Sequence, residues 1–212
     1  MTTQLKGQET YFLPFNMGKG EGIETGSGNP HNPDGVDTEY LWLDVLTMDS
    51  ILQLVESFIF YEVDKGNSKK KTLIFPRYHQ RRAVSRLLED MKTNHTDNNY
   101  LIQHSAGSGK TNTIAWLAHS LVSLHDDQNR NIVDTVLIVT DRIVVDRQLQ
   151  DAVRQINHKN GVVKVMGDRE TSSDLADAIA GNTKIIATTI HKFAQINQSD
   201  WMSVGNTANK KF

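Results

Sequence analysis

The chain reads Gln103-His104-Ser105-Ala106-Gly107-Ser108-Gly109-Lys110-Thr111 between a short apolar stretch and a run of residues with helical spacing. Gly107 and Gly109 permit backbone conformations in which successive N–H groups point into one concave space. The positive end of a helix that begins near Lys110, together with the ammonium group of that residue, adds positive charge there. The stretch therefore predicts a loop that binds the phosphate tail of a nucleoside triphosphate.

Individual residues of this loop have predicted chemical roles. We expect Lys110 to bridge the β- and γ-phosphate oxygens and the Thr111 hydroxyl to coordinate Mg²⁺. His104 departs from the strict pattern, which has glycine at that position. A Gly/Ser-rich turn that merely contains Lys-Thr is the alternative, and the predicted strand–loop–helix setting favours nucleotide binding. The loop residues expected to contact ATP are Ser105, Ala106, Gly107, Ser108, Gly109, Lys110 and Thr111.

From residue 72 onward, apolar stretches alternate with helical periodicity. We predict strands at 100–103, 136–140, 162–165 and 184–188, and helices at 78–92, 111–124, 144–156 and 172–179. Helical or turn structure is expected after the last strand. A repeated strand–helix order predicts an α/β fold in which a parallel sheet lies between helices.

The first 70 residues have a different character. Gly, Asn and Pro are frequent at 16–37, which predicts a turn-rich segment between domains. Apolar residues then recur at helical spacing and predict a helix at about 47–63. A second turn-rich break at 64–71 ends with three consecutive lysines, Lys69-Lys70-Lys71, for which a solvated linker is favoured over a phosphate contact. We therefore predict a loop-rich and helical connector, 1–70, ahead of a nucleotide-binding domain, 71–212.

Composition limits the function classes without selecting one. The 212 residues are 38% hydrophobic and 23% charged, which is typical of a globular protein, and no apolar run is long enough to cross a bilayer. The absence of cysteine excludes disulfides and thiolate metal sites, and with no apolar leader at the N-terminus it predicts a cytoplasmic protein. A net charge of −2 argues against a free-standing basic domain that binds nucleic acid.

Gln80 lies about thirty residues before Lys110 on a predicted helix. A glutamine amide donates and accepts at once, so Gln80 could pair with N6 and N7 of adenine. A polar side chain on a helix surface is the simpler alternative. The presence of a phosphate-binding loop at this distance favours the adenine contact.

Polar side chains follow two of the predicted strands. Thr140, Asp141 and Arg142 end one strand, and Thr188 and Thr189 end another. We expect these residues to contact DNA phosphates or neighbouring loops at the sheet edge. Two alternatives stay open: Asp141 could be a magnesium-binding acid, and the two later threonines could cap a helix. No later strand ends in the Asp-Glu pair that would activate water.

Taken together, these motifs resemble the restriction subunit of type I restriction–modification enzymes, which contains the motor and the nuclease. The resemblance covers nearly the whole chain and includes a turn-rich N-terminal block that helicases in general do not share. The matching blocks are Tyr11-Phe12-Leu13-Pro14-Phe15-Asn16-x-Gly18, Gly28-Asn29-Pro30, Thr38-Glu39-Tyr40-Leu41-Trp42, Phe75-Pro76-Arg77-Tyr78-His79-Gln80, the loop 103–111, Val139-Thr140-Asp141-Arg142 and Thr188-Thr189-Ile190-His191-Lys192-Phe193.

The resemblance implies a superfamily 2 motor with two RecA-like domains, which pumps double-stranded DNA with ATP and Mg²⁺ and is joined to a metal-dependent nuclease. It also implies partner subunits for methylation and sequence specificity. In these terms Gln80 is similar to an adenine-reading motif, and the residues after the two strands are similar to DNA-facing motifs.

The same resemblance implies that this chain is a fragment: the connector and most of the first RecA-like domain. The nuclease would precede Met1, and an Asp-Glu-x-His motif would follow Phe212. Such a fragment is expected to bind ATP but to hydrolyse it poorly alone. A complete small P-loop ATPase or kinase that uses Asp141, and a non-enzymatic nucleotide-binding module, are the alternatives.

Overall fold

The computed structural model describes Thr2 and residues 5–19, 28–64, 66–94, 98–141, 143–156, 162–167, 169–205 and 210–212. Its internal contacts divide the chain into two units, Met1–Arg82 and Ala83–Phe212. The first unit thus extends to Arg82, twelve residues beyond the end of the connector predicted at 1–70. Of the turn-rich segment predicted at 16–37, residues 20–27 lie outside the described part, and 28–37 contain turns without helix or strand.

The first unit combines short helical turns with a β-hairpin. A 3₁₀ turn, Gly7–Glu9, and a π-helical turn, Leu41–Val45, precede helix α1, Met48–Gln53, which continues as a second π-helical turn, Leu54–Phe58. Strands β1, Phe60–Asp64, and β2, Asn67–Ile74, pair in antiparallel orientation. Helix α2, Tyr78–Asn94, begins in this unit and ends in the second.

Two sequence predictions for this region are wrong. The helix predicted at 47–63 ends at Phe58, and the break predicted at 64–71 lies largely within β2. Residues 59–63 are Ile-Phe-Tyr-Glu-Val, and such aromatic and β-branched residues favour strands. Backbone pairing of β1 with β2 satisfies the N–H and C=O groups that a longer helix would otherwise have to satisfy.

Aromatic rings from three separated sequence blocks converge in the first unit. Phe15 makes edge contacts with Phe75 and Tyr78, at centroid distances of 5.9 and 5.7 Å, and Tyr40 contacts Tyr78 at 5.3 Å. The Tyr40 hydroxyl donates to the backbone carbonyl of Phe15. Phe15, Tyr40 and Phe75 with Tyr78 come from three of the blocks that resemble restriction subunits. These three blocks therefore meet in one small aromatic core.

The second unit contains a parallel three-stranded sheet, which confirms the predicted α/β fold. Its strands are β3, Val136–Thr140, β4, Val163–Val165, and β5, Ile185–Thr189, in the order β3–β5–β4. β5 pairs in parallel with both neighbours, and all five of its residues are buried. A central parallel strand with helices on its faces is mostly apolar, and β5 begins with Ile185, Ile186 and Ala187.

Helices join the strands in the predicted order. They are α3, Lys110–Val122, α4, Ile143–Ile156, α5, Ser172–Ala180, α6, Ile190–Ala194, and α7, Gln198–Gly205. One apolar cluster joins α3 and α4 to the sheet, and a second joins α5 to Ile186 and Ile196. Among the described residues, no helix is both long and apolar enough to cross a membrane.

His119 joins α3 to α4 through a buried hydrogen bond. Its Nε2 lies 2.7 Å from the carbonyl oxygen of Val153, which can only accept, so Nε2 is the protonated ring nitrogen. Val153 lies in the last turn of α4, where helix carbonyls have no partner within the helix. Burial lowers the pKa of His119, and the hydrogen bond to Val153 opposes that shift in part.

We predict that acid destabilises the protein through His119. Because folding lowers the pKa of this imidazole, the unfolded chain binds the proton first as the pH falls below about 6.5. Stability is retained above that pH and declines below it, by at most about 1.4 kcal/mol per pH unit, until the folded protein also binds the proton. Melting temperatures of the wild type and His119→Gln, measured between about pH 5 and 8, test this. Equal acid sensitivity of the two proteins would assign the effect to other groups.

Candidate functional site

The predicted phosphate-binding loop ends where α3 begins, at Lys110. Gly107 and Gly109 have φ angles of 73° and 83°, the left-handed region that favours glycine. Between them, Ser108 folds back onto Ser105, because its backbone N–H and its hydroxyl both donate to the Ser105 carbonyl, at 3.4 and 2.8 Å. The backbone therefore reverses within five residues and leads straight into the N-terminus of a 13-residue helix.

The Lys110 ammonium group lies across this reversal. Its Nζ donates to the carbonyl oxygens of Ser105 and His104, at 2.8 and 3.2 Å, and the side chain is exposed. Carbonyl oxygens are weaker partners for an ammonium group than phosphate oxygens, which form charge-assisted hydrogen bonds. An anion that enters the loop can therefore take over the ammonium group from the two carbonyls.

Hydrogen bonds from buried Thr113 fix the start of α3. The backbone N–H and the hydroxyl of Thr113 both donate to the Gly109 carbonyl, at 3.2 and 3.3 Å, and Thr113 is buried. Ala115 and Trp116 are almost completely buried one turn further along. Sequence reasoning missed Thr113, whose signal is a hydroxyl residue among the apolar positions of the helix. These contacts hold the last residue of the loop, Gly109, at the N-terminus of α3.

The strand predicted at 100–103 is not found. No strand among the described residues pairs with it, and Leu101 is 92% exposed. An extended segment becomes a strand only when a neighbouring strand pairs with it. Without such a neighbour its backbone groups stay bonded to water, even where its residues favour strands. Tyr100 is attached instead to α2, where its hydroxyl donates to the Asp90 carboxylate. The carboxylate raises the pKa of Tyr100 through that hydrogen bond.

The loop residues fit a triphosphate. A Cβ built at Gly107 meets no atom within 4 Å, so the space over the loop is open. Thr111, half-buried in the first turn of α3, supplies a hydroxyl for a metal ion. Within the described residues, no group of three or more His, Cys, Asp or Glu side chains could hold a metal ion. Mg²⁺ usually takes most of its ligands from phosphate oxygens and water, and a single protein hydroxyl is compatible with that coordination.

Gln80 belongs to the first unit and is buried. Its Oε1 accepts from the backbone N–H of Arg77, the residue before α2, at 2.8 Å. A glutamine at the third helical position that binds back to the helix start is half of a capping box. The adenine contact stays a prediction.

The structure brings the two predicted DNA-facing segments together. Thr140 pairs in register with Thr189, and Val139 with Thr188, so both segments lie at the carboxyl ends of neighbouring parallel strands. Asp141 is exposed directly beyond β3, which is an edge strand in the order of the described strands. Ligands of parallel sheets bind beyond the carboxyl ends of the strands.

Not every predicted residue at this sheet end faces solvent. Thr188 has no exposed surface, and a hydroxyl without exposed surface cannot reach a phosphate unless the strand rearranges. Thr189 is also buried and occupies the cap position of α6, but its side chain makes no capping hydrogen bond. Thr140 is half-buried, and Arg142 lies outside the described residues. The DNA prediction for this surface thus rests on Thr140 and Asp141.

Comparisons with known proteins match this chain to one ATPase family and to two restriction enzyme subunits. The sequence profile of the SWI2/SNF2 ATPases matches residues 79–211. Two curated relatives from Methanocaldococcus jannaschii are named as endonuclease subunits of the type I restriction enzymes MjaVIIIP and MjaVIIP. The first is 27% identical over 82% of this chain and the second 31% identical over 54%. The chain covers only 18% and 11% of their lengths. No solved structure gives a significant match.

We predict that Gly107→Ala destabilises the protein without disturbing any neighbouring side chain. The added methyl group enters open space, so the cost is that of a non-glycine residue in the left-handed region, about 1–2 kcal/mol. Gly205→Ala is the matched control, because its Cβ also meets nothing and its φ is not left-handed. Urea unfolding measures both variants. Equal unfolding free energies for the two would contradict a left-handed turn at Gly107.

Proposed function

This chain belongs to the SWI2/SNF2 ATPase family, and on that premise we propose that it is the ATP-binding part of the restriction subunit of a type I restriction enzyme. In the full-length protein, this part would drive ATP-dependent translocation of double-stranded DNA, coupled to endonucleolytic cleavage. The observation that supports nucleotide binding best is the loop from Ser105 to Lys110, with its two left-handed glycines and exposed ammonium group.

The chemistry of binding follows from the loop. Backbone N–H groups at the start of α3 would donate to the β-phosphate, and the helix dipole would add to that attraction. Lys110 would exchange its two carbonyl partners for oxygens of the β- and γ-phosphates. The Thr111 hydroxyl would contact Mg²⁺, which neutralises charge on the phosphates when bound. Gln80 would select adenine through its amide.

We propose that the chain alone hydrolyses ATP slowly. Turnover requires an acid that orients the attacking water and cations that stabilise charge on the transferring phosphoryl group. Asp141 is the acid directly after β3, and among the described residues it belongs to no metal-binding group of three or more His, Cys, Asp or Glu side chains. The missing groups would come from an Asp-Glu-x-His motif and from an arginine of a second RecA-like domain.

Binding of DNA and partner subunits is the third part of the proposal. Both named relatives are endonuclease subunits, and DNA is the substrate of an endonuclease. Thr140 and the backbone after it would contact phosphates of double-stranded DNA, and such contacts bind DNA without sequence preference. Methylation and specificity subunits would supply target recognition, in agreement with the small net charge of this chain.

Titration with a fluorescent ATP analogue and Mg²⁺ tests the proposal. Lys110→Ala removes charge-assisted hydrogen bonds and should weaken binding roughly 10- to 100-fold, or about 1.5–3 kcal/mol. Lys71→Ala is the matched control, because it removes an exposed ammonium group from the first unit and should leave binding unchanged. An equal loss in both variants would mean that the analogue binds through general charge attraction, and tight binding by Lys110→Ala would refute the loop as the site.

Steady-state phosphate release separates the proposal from its rivals. We expect slow release that double-stranded DNA does not stimulate in this chain. Rapid turnover that Asp141→Ala abolishes would instead identify a complete small ATPase with Asp141 as its magnesium residue. Tight ATP binding with no DNA binding, even after fusion to the natural flanking sequence, would identify a nucleotide-binding module without motor function.

A further inference from the structure

The helical segment from Met48 to Phe58 has a line of exposed apolar residues on one side. Met48, Ile51, Leu52 and Val55 are 74%, 40%, 57% and 63% exposed. Their spacing of three and four residues places them along one side of the helix, and we call them the apolar stripe. Residues on the other side of the same segment, Leu54 and Phe58, are buried in the first unit.

A helix that is apolar on both sides is normally buried on both sides. The apolar stripe is preceded by further exposed residues of the same kind, Trp42, Leu43 and Leu46. Single exposed apolar residues are common on protein surfaces, but a contiguous group of this size marks a contact surface. These side chains are exposed by 40% to 74% of their surface, so burial against a further protein surface would explain them.

The charges around the stripe restrict what can cover it. From residue 32 to residue 64 the sequence has eight Asp or Glu residues and no Lys, Arg or His. Asp49 and Glu56 lie on the same helical segment as the stripe and are exposed, whereas Asp44 before it is paired with the Arg81 guanidinium. Nucleic acid is excluded as the occupant because its phosphates would be repelled. A second copy joined through the same face would bring like charges together.

We propose that the apolar stripe docks onto a protein surface that has an apolar centre and a rim of Lys and Arg residues. The apolar centre would bury Met48, Leu52 and Val55, and the basic rim would pair with Asp49 and Glu56. Such complementary charge fixes the orientation of the partner and speeds its association. This inference does not depend on nucleotide binding, since the stripe belongs to the first unit and the loop to the second.

The probe for this proposal is a synthetic amphipathic peptide of Leu and Lys, about 14 residues long or four helical turns. A peptide with Glu in place of every Lys is the counter-probe. With methyl-labelled methionine, the Leu/Lys peptide should shift the NMR signal of exposed Met48 and leave those of buried Met91 and Met166 unchanged. It should bind at least about tenfold more tightly than the counter-probe, because only its charges complement the acidic rim.

Variants of exposed residues distinguish peptide binding at the apolar stripe from binding through general charge attraction. Leu52→Ser with Val55→Ser should weaken binding of the Leu/Lys peptide by about tenfold or more, because it removes the apolar centre of the contact. Leu101→Ser, at an exposed leucine of the second unit, is the matched control and should bind as the wild type does. Asp49→Lys with Glu56→Lys should reverse the preference toward the Leu/Glu peptide. Circular dichroism checks that each variant remains folded.

Three results would overturn the proposal. One is an unchanged Met48 signal at saturating Leu/Lys peptide. Another is wild-type affinity in the Leu52→Ser, Val55→Ser variant, which would show that the peptide binds elsewhere. The third is a concentration-dependent dimer of the wild type that this variant abolishes, since a second copy of the chain would then cover the stripe.

Discussion

The left-handed backbone at Gly107 and Gly109 is the constraint on which the site depends. It reverses the chain ahead of α3, and the reversal determines which way the first N–H groups of that helix point. A residue with a Cβ at either position would have to relax the turn or accept strain. The Lys110 ammonium group then lies over the loop because the same turn directs the Ser105 carbonyl toward it.

The sheet fixes the position of the second group of candidate residues, those at the carboxyl ends of β3 and β5. Because β5 is central and completely buried, the ends of β3 and β5 are fixed in register, and residues 140 and 189 meet at one edge. His119 and the apolar cluster below hold α3 against α4, so the loop and the sheet are parts of one packed unit.

Periodicity alone was enough to predict most of the second unit. The strands at Val136–Thr140 and Ile185–Thr189 are short apolar runs that only a buried parallel strand explains, and both predictions are confirmed. The turn ahead of α3 was predictable because few sequences place two closely spaced glycines just before Lys-Thr at the start of a helix. The strand predicted at 100–103 was wrong, since pairing depends on a distant edge that local sequence does not specify.

Long-range contacts also explain the other differences. The hairpin that follows the π-helical turn ending at Phe58 depends on pairing between β1 and β2, which helical spacing alone does not indicate. Nor does sequence reveal burial: Thr188 has the residue type of a phosphate ligand, but the central strand buries it completely. Gln80 has the residue type of a base-reading amide, but its local task is to cap α2.

Backbone amide NMR during titration with ATP and Mg²⁺ tests the central claim most directly, because it reports which N–H groups contact the phosphates. The account predicts the largest shifts at Gly107, Ser108, Gly109 and Lys110, and smaller shifts at the far end of α3. Shifts concentrated at Asp141 or elsewhere, with the amides of the loop unchanged, would contradict it.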